Sequence, residues 1–258
     1  MQAAVQRTLP LLLVHGGLPP QETFAQQLRL RSRRALLTPS LPIEAPTAKG
    51  ARRRDFDSDG EALAKLIETH AAEGAHLLGV SYGAISALAC ALLAPRLVRS
   101  LALVEAPLFA VALECPAVAR FVAALERPFD RSRSTREEVR AAFAAFTSPS
   151  GRESRDPGAR IAAVMSFIRG ARPPAQAQID LERLRRAEIP ALVVSGAHHE
   201  ALSVVSRRLA QGLGAQLLEL HGWGHFPQCA PEFNEALESF LAAVERGTTA
   251  ASATFAAS

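Results

Sequence analysis

Lysine is almost absent from this chain. Only Lys49 and Lys65 carry it, so nearly all the positive charge rests on arginine. Aromatic residues are scarce too, at 5% of 258 residues, with one tryptophan and one tyrosine. Neither shortage prevents a core, because 48% of the chain is hydrophobic and much of that is alanine, which favours close helix packing. The length suits one domain with room for an insertion. No apolar run approaches the ~20 residues that span a bilayer, so no membrane association is expected. The run Leu9-Pro10-Leu11-Leu12-Leu13-Val14 is short and lacks a small-residue cleavage site, so it is not expected to be a signal peptide. Cysteines occur only at Cys90, Cys115 and Cys229. They are far apart, odd in number and form no CxxC pair, which argues against a disulfide framework or a zinc site and for buried, reduced thiols in the cytoplasm. The net charge of +4 is not gathered on one run. Arg29 to Arg34 and Arg52 to Arg54 fall in predicted loops or helix ends among scattered acids, so they are expected to be solvated surface and not a nucleic-acid footprint.

Short apolar runs alternate with longer helical patterns, the signature of a parallel sheet flanked by helices. Strands are expected at Leu9 to Val14, Ala35 to Thr38, His76 to Val80, Ser100 to Val104, Ala191 to Ser195 and Gln216 to Leu220. Helices are expected at Asp59 to Ala72, Tyr82 to Leu93, Leu202 to Leu213 and Pro231 to Glu245. Ser58 with Glu61 offers a capping box for the first of these. Between Pro107 and Ile189 the rhythm breaks. Ala117 to Leu125, Arg136 to Phe146, Ala159 to Arg169 and Ile179 to Arg186 read as helices of an insertion lying over the sheet. The expected division is a core of residues 1–106 and 190–246, a helical cap of 107–189 and a disordered tail of 247–258.

Gly79-Val80-Ser81-Tyr82-Gly83 sits where a predicted strand meets a predicted helix, the setting a G-x-S-x-G nucleophile elbow requires. The glycines remove Cβ atoms that would clash across a sharp turn, and the helix N-terminus favours negative charge developing at the serine. His15-Gly16-Gly17 follows the first strand. Backbone N–H groups of Gly17 or Leu18 in that loop, with that of Tyr82, are candidate oxyanion-hole donors. Gly222-Trp223-Gly224-His225-Phe226-Pro227 follows the last strand. A serine hydroxyl needs a base, and His225 is the candidate. His221 is its nearest competitor but continues the strand. His70 and His76 flank a helix–strand turn and read as surface or cap residues.

Taken in this order, the three motifs resemble those of the α/β-hydrolase superfamily, most closely its small bacterial members with a helical cap, over roughly residues 9 to 245. The resemblance implies a mainly parallel sheet, a Ser-His-acid triad, no metal and no organic cofactor. Only eight residues precede the first strand. The antiparallel hairpin usual there in the family is therefore not expected, and about six strands are. The family usually places an aspartate shortly after the glycine that follows its seventh strand. Here that stretch is Gly196-Ala197-His198-His199-Glu200, with no aspartate. The acid is then Glu105, at the end of Leu101-Ala102-Leu103-Val104-Glu105, with Glu200 as the alternative. A carboxylate ending a buried strand needs a partner, which favours Glu105.

His198, His199 and Glu200 are adjacent, and adjacent side chains of an extended segment point apart, so together they are not expected to hold a metal. The expected activity is serine hydrolysis of a carboxylic ester or related carbonyl through an acyl-enzyme. C–C bond or lactone hydrolysis, a weakly catalytic small-molecule binder, and a cofactor-free lyase or cyclase remain alternatives. A small-molecule substrate is the expected partner, and the sequence does not give the oligomeric state. Leu108, Phe109, Phe121, Phe143, Phe146, Met165 and Phe167 are candidate pocket residues. Arg172 is a candidate contact for an acidic group.

Overall fold

The computed structural model describes residues 8–41, 54–129 and 170–248, together with Thr135, Glu137 and Phe167; side chains of 126–129 are outside this description. The first element is β1 (Leu11–Val14), fully buried. A short helix α1 (Pro20–Thr23) and a 3-10 segment lead to β2 (Leu36–Leu37). Next come α2 (Phe56–His70), β3 (Ala75–Val80), α3 (Tyr82–Leu93) and β4 (Val98–Val104). Within the segment expected to be an insertion lie α4 (Pro116–Phe129) and the short α5 (Leu181–Arg186). The chain then forms β5 (Ala191–Ser195), α6 (Glu200–Leu213), β6 (Gln216–Glu219) and α7 (Phe233–Glu245). The helices expected at Arg136 to Phe146 and Ala159 to Arg169, and most of the tail, lie outside the described residues.

Among the described residues six strands make one sheet in the order β2-β1-β3-β4-β5-β6, and every pairing between them is parallel. A parallel sheet covered on both faces needs strands apolar throughout. β1 and β3 meet that demand, being buried at every position. Alternate residues divide between two cores. Leu12, Val14, Leu77 and Leu103 pack with α2 and α3, while Leu11, Leu13, Leu78 and Val194 pack with Phe233, Leu237 and Phe240 of α7. A third cluster joins Phe109, Val118 and Phe121 to Leu202 and Val205 of α6. Because all strands run one way, β1, β3, β4, β5 and β6 deliver the loops that follow them to the same edge.

Several local expectations need correction. The cap of α2 is Asp55, whose carboxylate accepts from Asp57 N and Ser58 N, so the helix begins before the Ser58–Glu61 box. An aspartate at this place satisfies the same orphan N–H groups and favours the helix dipole. His76 is a core residue: its Nδ1 lies 2.8 Å from Ser100 Oγ and its Nε2 3.2 Å from Glu245 Oε1. Arg34 and Arg54 are not solvated. Arg34 is 5% exposed and reaches Glu238 and Glu245, and Arg54 is 6% exposed and donates to Asp59 at 2.8 Å. A guanidinium is buried only with such partners, which single-run charge counting cannot reveal. Burial raises the Asp59 pKa, while Arg54 opposes that shift.

The loop after β1 is fixed by His15 and Arg54. His15 Nε2 accepts from Leu41 N at 2.9 Å, and Nδ1 lies 3.0 Å from Gly16 O. That pattern suits a neutral ring with its proton on Nδ1. Arg54 donates to the carbonyls of Gly16 and His15, each at 3.3 Å. Burial first, and Arg54 second, lower the His15 pKa to about 4. Since the unfolded ring takes its proton near the ordinary value, the unfolded state binds more protons between the two values. His15 therefore favours folding above roughly pH 6.5, and that contribution is lost as pH falls towards about 4. The expected size is about 3 kcal/mol. Urea unfolding of wild type and His15→Gln checks it: the stability difference between them should shrink as pH drops from neutral to about 4.5.

Candidate active site

At the common strand edge, Ser81 joins β3 to α3 with φ 56° and ψ −126°. A non-glycine residue rarely adopts that backbone, and the strain is held by packing on both sides. Ser81 N donates to Val104 O at 2.8 Å, and Ser81 O accepts from Ala84 N at 2.9 Å. Gly83 is required because a Cβ there would strike the Val14 carbonyl, and at Gly79 it would come within 2.6 Å of Ala84 Cα. The loop after β1 presses against this turn. A Cβ on Gly16 would stand 2.9 Å from Val80 O and 3.0 Å from the Ser81 Cβ.

Glu105 follows β4 on the neighbouring strand, with φ 48°. Its N–H still extends the ladder to Val194 O at 2.9 Å. The left-handed turn carries a cost of about 1–3 kcal/mol. Its side chain is fully enclosed and turned along the edge. Oε1 accepts from Gly196 N at 2.6 Å and from Ser195 Oγ at 3.3 Å. Oε2 stands 3.2 Å from Nδ1 of His225, itself 3% exposed. An imidazole so placed keeps its proton on Nδ1 and directs Nε2 away from the carboxylate.

His198 also reaches this carboxylate, with Nδ1 3.8 Å from Glu105 Oε2. Sequence reasoning missed it, since the two residues come from different strand ends. Neighbouring His199 turns elsewhere and caps α6, where Nδ1 accepts from Ala201 N at 3.2 Å. Burial lowers its pKa, as an accepting ring requires. Glu200 starts α6 and is exposed; with Arg120, Phe121 and His199 it borders a cavity of about 310 Å³. His221 is exposed in a turn after β6.

Tyr82 is 1% exposed, and burial pushes its hydroxyl pKa up. Its ring meets Phe167 edge-on at 5.1 Å, and Phe167 also covers Gly17. Leu18 is 6% exposed. Leu108 lines a cavity of about 450 Å³ with Val111, Ile179, Leu181 and Arg208. Phe109 packs 5.8 Å from Phe121 in the third core cluster. Phe143, Phe146 and Met165 lie outside the described residues. Arg172 stacks over Phe56 at 4.4 Å and pairs with Asp55 and Asp57, which accounts for its charge. Cys90 and Cys229 are buried and Cys115 is half-buried, and no disulfide joins any two of them. No helix among the described residues is long and apolar enough to cross a membrane.

Comparison with known proteins agrees with this architecture. The chain is 33% identical over 119 residues to the dihydrolipoyllysine-residue acetyltransferase component of the acetoin cleaving system of Pseudomonas putida. That match covers 46% of this chain and 32% of the relative, so the chain spans about a third of the curated protein it matches. Among solved structures, MenH from S. aureus superposes with a TM-score of 0.69 at 16% identity, covering 95% of this chain and 97% of that one. Carboxylesterase CesB (YbfK) from Bacillus subtilis gives 0.67 at 20% identity, covering 91% and 84%. At these identities the likeness concerns the fold. The Alpha/beta hydrolase family matches residues 11–236, and the chain belongs to it.

Proposed function

We propose that this chain is a serine hydrolase acting on a carboxylic ester or related carbonyl compound. Ser81 is the nucleophile, His225 the general base and Glu105 the acid that orients it. The observation that carries this reading is the 3.2 Å approach of Glu105 Oε2 to His225 Nδ1, on the sheet edge that also presents Ser81. With Nδ1 held by a carboxylate, His225 Nε2 is the nitrogen left to take the Ser81 proton as the hydroxyl attacks. The N–H of Tyr82 and those of Gly17 or Leu18 hold the oxyanion, each such donor contributing about 3 kcal/mol in other hydrolases. As the bond between the carbonyl carbon and the alcohol (or other leaving group) breaks, His225 gives its proton to the departing group. The acyl-enzyme that remains is cleaved by a water that His225 deprotonates. A serine at position 81 suits ester, lactone or C–C bond hydrolysis, all of which use one triad. A small-molecule substrate, no metal or organic cofactor and a cytoplasmic location belong to the same reading.

Leu108 and Phe109 belong to the apolar side of the substrate site in this reading, and Phe167 over Gly17 to its entrance. The relatives' names support ester chemistry only by fold, through CesB.

Two measurements test the proposal. A fluorophosphonate probe should label wild type at Ser81, and labelling should vanish in both Ser81→Ala and His225→Ala. Undiminished labelling of either variant rules the assignment out. In ester turnover, Glu105→Gln should lower kcat by on the order of 10³–10⁴, because the amide holds the wrong imidazole tautomer. Glu200→Gln should stay close to wild type. The reverse ranking would transfer the acid's role to Glu200.

A further inference from the structure

Three side chains from three strand ends meet at the Glu105 carboxylate. Glu105 follows β4, His198 lies between β5 and α6, and His225 follows β6. One ligand atom from each lies within 4.8 Å of the other two. Oε2 of Glu105 stands 3.8 Å from His198 Nδ1 and 3.2 Å from His225 Nδ1. Around a tetrahedral zinc ion with bonds of about 2.0–2.2 Å, neighbouring ligand atoms lie about 3.4 Å apart. The two observed separations bracket that value. All three side chains are at least 97% buried, so their atoms are held by packing. The second carboxylate oxygen is anchored by Gly196 N and Ser195 Oγ, the kind of outer support that fixes a ligating carboxylate. No other such group of three occurs among the described residues.

We propose that Glu105, His198 and His225 form a site for a divalent transition-metal ion, zinc above all, whose occupation shuts off the hydrolytic apparatus. Two imidazoles and one carboxylate suit zinc and its first-row neighbours better than magnesium or calcium. The inhibition follows from proton bookkeeping. A neutral imidazole that binds a metal through Nδ1 carries its one proton on Nε2. For His225 the proton moves from Nδ1 to Nε2, and no covalent bond between heavy atoms changes. Nε2 then donates where it had accepted and cannot take the Ser81 proton. Binding itself stands on the geometry alone; its effect on turnover rests on the hydrolase reading.

The test uses the full chain, stripped with a chelator and titrated with Zn²⁺ against a chromophoric competitor. Wild type and Ser81→Ala should each bind one Zn²⁺ per chain. His198→Gln should bind at least about tenfold more weakly, since losing a direct ligand should cost no less than losing an outer-shell partner. Ester turnover of wild type should fall with Zn²⁺ occupancy and return with chelator, while His198→Gln turns over ester at Zn²⁺ concentrations that silence wild type. No saturable binding by wild type, or equal affinity in a folded His198→Gln, would overturn the site. Should His198→Gln misfold, Co²⁺ added to wild type decides, because intense tetrahedral d–d bands are expected and their absence overturns the site. Turnover unchanged or raised by bound Zn²⁺ would overturn the inhibitory half. A wild type inactive on every ester would sink the hydrolase reading, yet the titration would still decide whether the metal site exists.

Discussion

A single enclosed carboxylate fastens three strand ends together. Glu105 follows β4, accepts from the Ser195 hydroxyl at the end of β5 and from the Gly196 N–H just after it, and meets His225 beyond β6. A buried charge is costly unless it is paired and fully hydrogen-bonded. Those partners are what make the position tolerable, and they also aim both oxygens. The left-handed backbone at Glu105 serves the same end, turning the side chain along the edge instead of continuing the strand. Ser81, on the adjacent strand end, is strained in a comparable way and braced by the loop after β1. Strain at both points persists because the parallel sheet beneath them is buried and rigid.

The loop after β1 is itself held from outside the motifs. Arg54 reaches back to the carbonyls of His15 and Gly16 while bound to Asp59 of α2, and Ser86 of α3 donates to the same Asp59 carboxylate. A chain of polar contacts thus links two helices to the loop beside Ser81. The far edge of the sheet has its own fastening. Glu245 of α7 gathers Leu9 N, Arg34 and His76, so the last helix is tied to the first strand and to β3. Both arrangements place arginine where hydrophobic patterning alone would put a loop or a surface.

The fold was legible because its signal is local. Uninterrupted apolar runs such as Leu11–Val14 and Leu77–Val80, alternating with helical patterns, are what a doubly covered parallel sheet demands. The glycines around Ser81 and the loop of His225 were legible for a similar reason, since tight backbone geometry restricts residue choice. Glu105 could be singled out because an acid ending an apolar strand calls for a partner. What stayed hidden was long-range. Nothing in the local pattern around His198 says that it faces a carboxylate more than ninety residues earlier, nor that Arg54 is buried against Asp59. His76 looked like a turn residue because its partners, Ser100 and Glu245, are distant in sequence. The α2 start differs from the Ser58–Glu61 expectation because Asp55, three residues earlier, caps the helix through the N–H groups of Asp57 and Ser58.

The margins of the sheet carry a consequence for solubility. On one side the outermost strand, β2, is only two residues long, and on the other, β6 has four, with Glu219 in an ion pair to Arg207. An open strand margin is a template on which a foreign chain can add itself and nucleate aggregation. Here each margin offers few unsatisfied backbone groups in a row, and one of them is marked by charge. The largely buried apolar strands β1, β3, β4 and β5 lie inside the sheet, so the segments most prone to self-association are those least available for it.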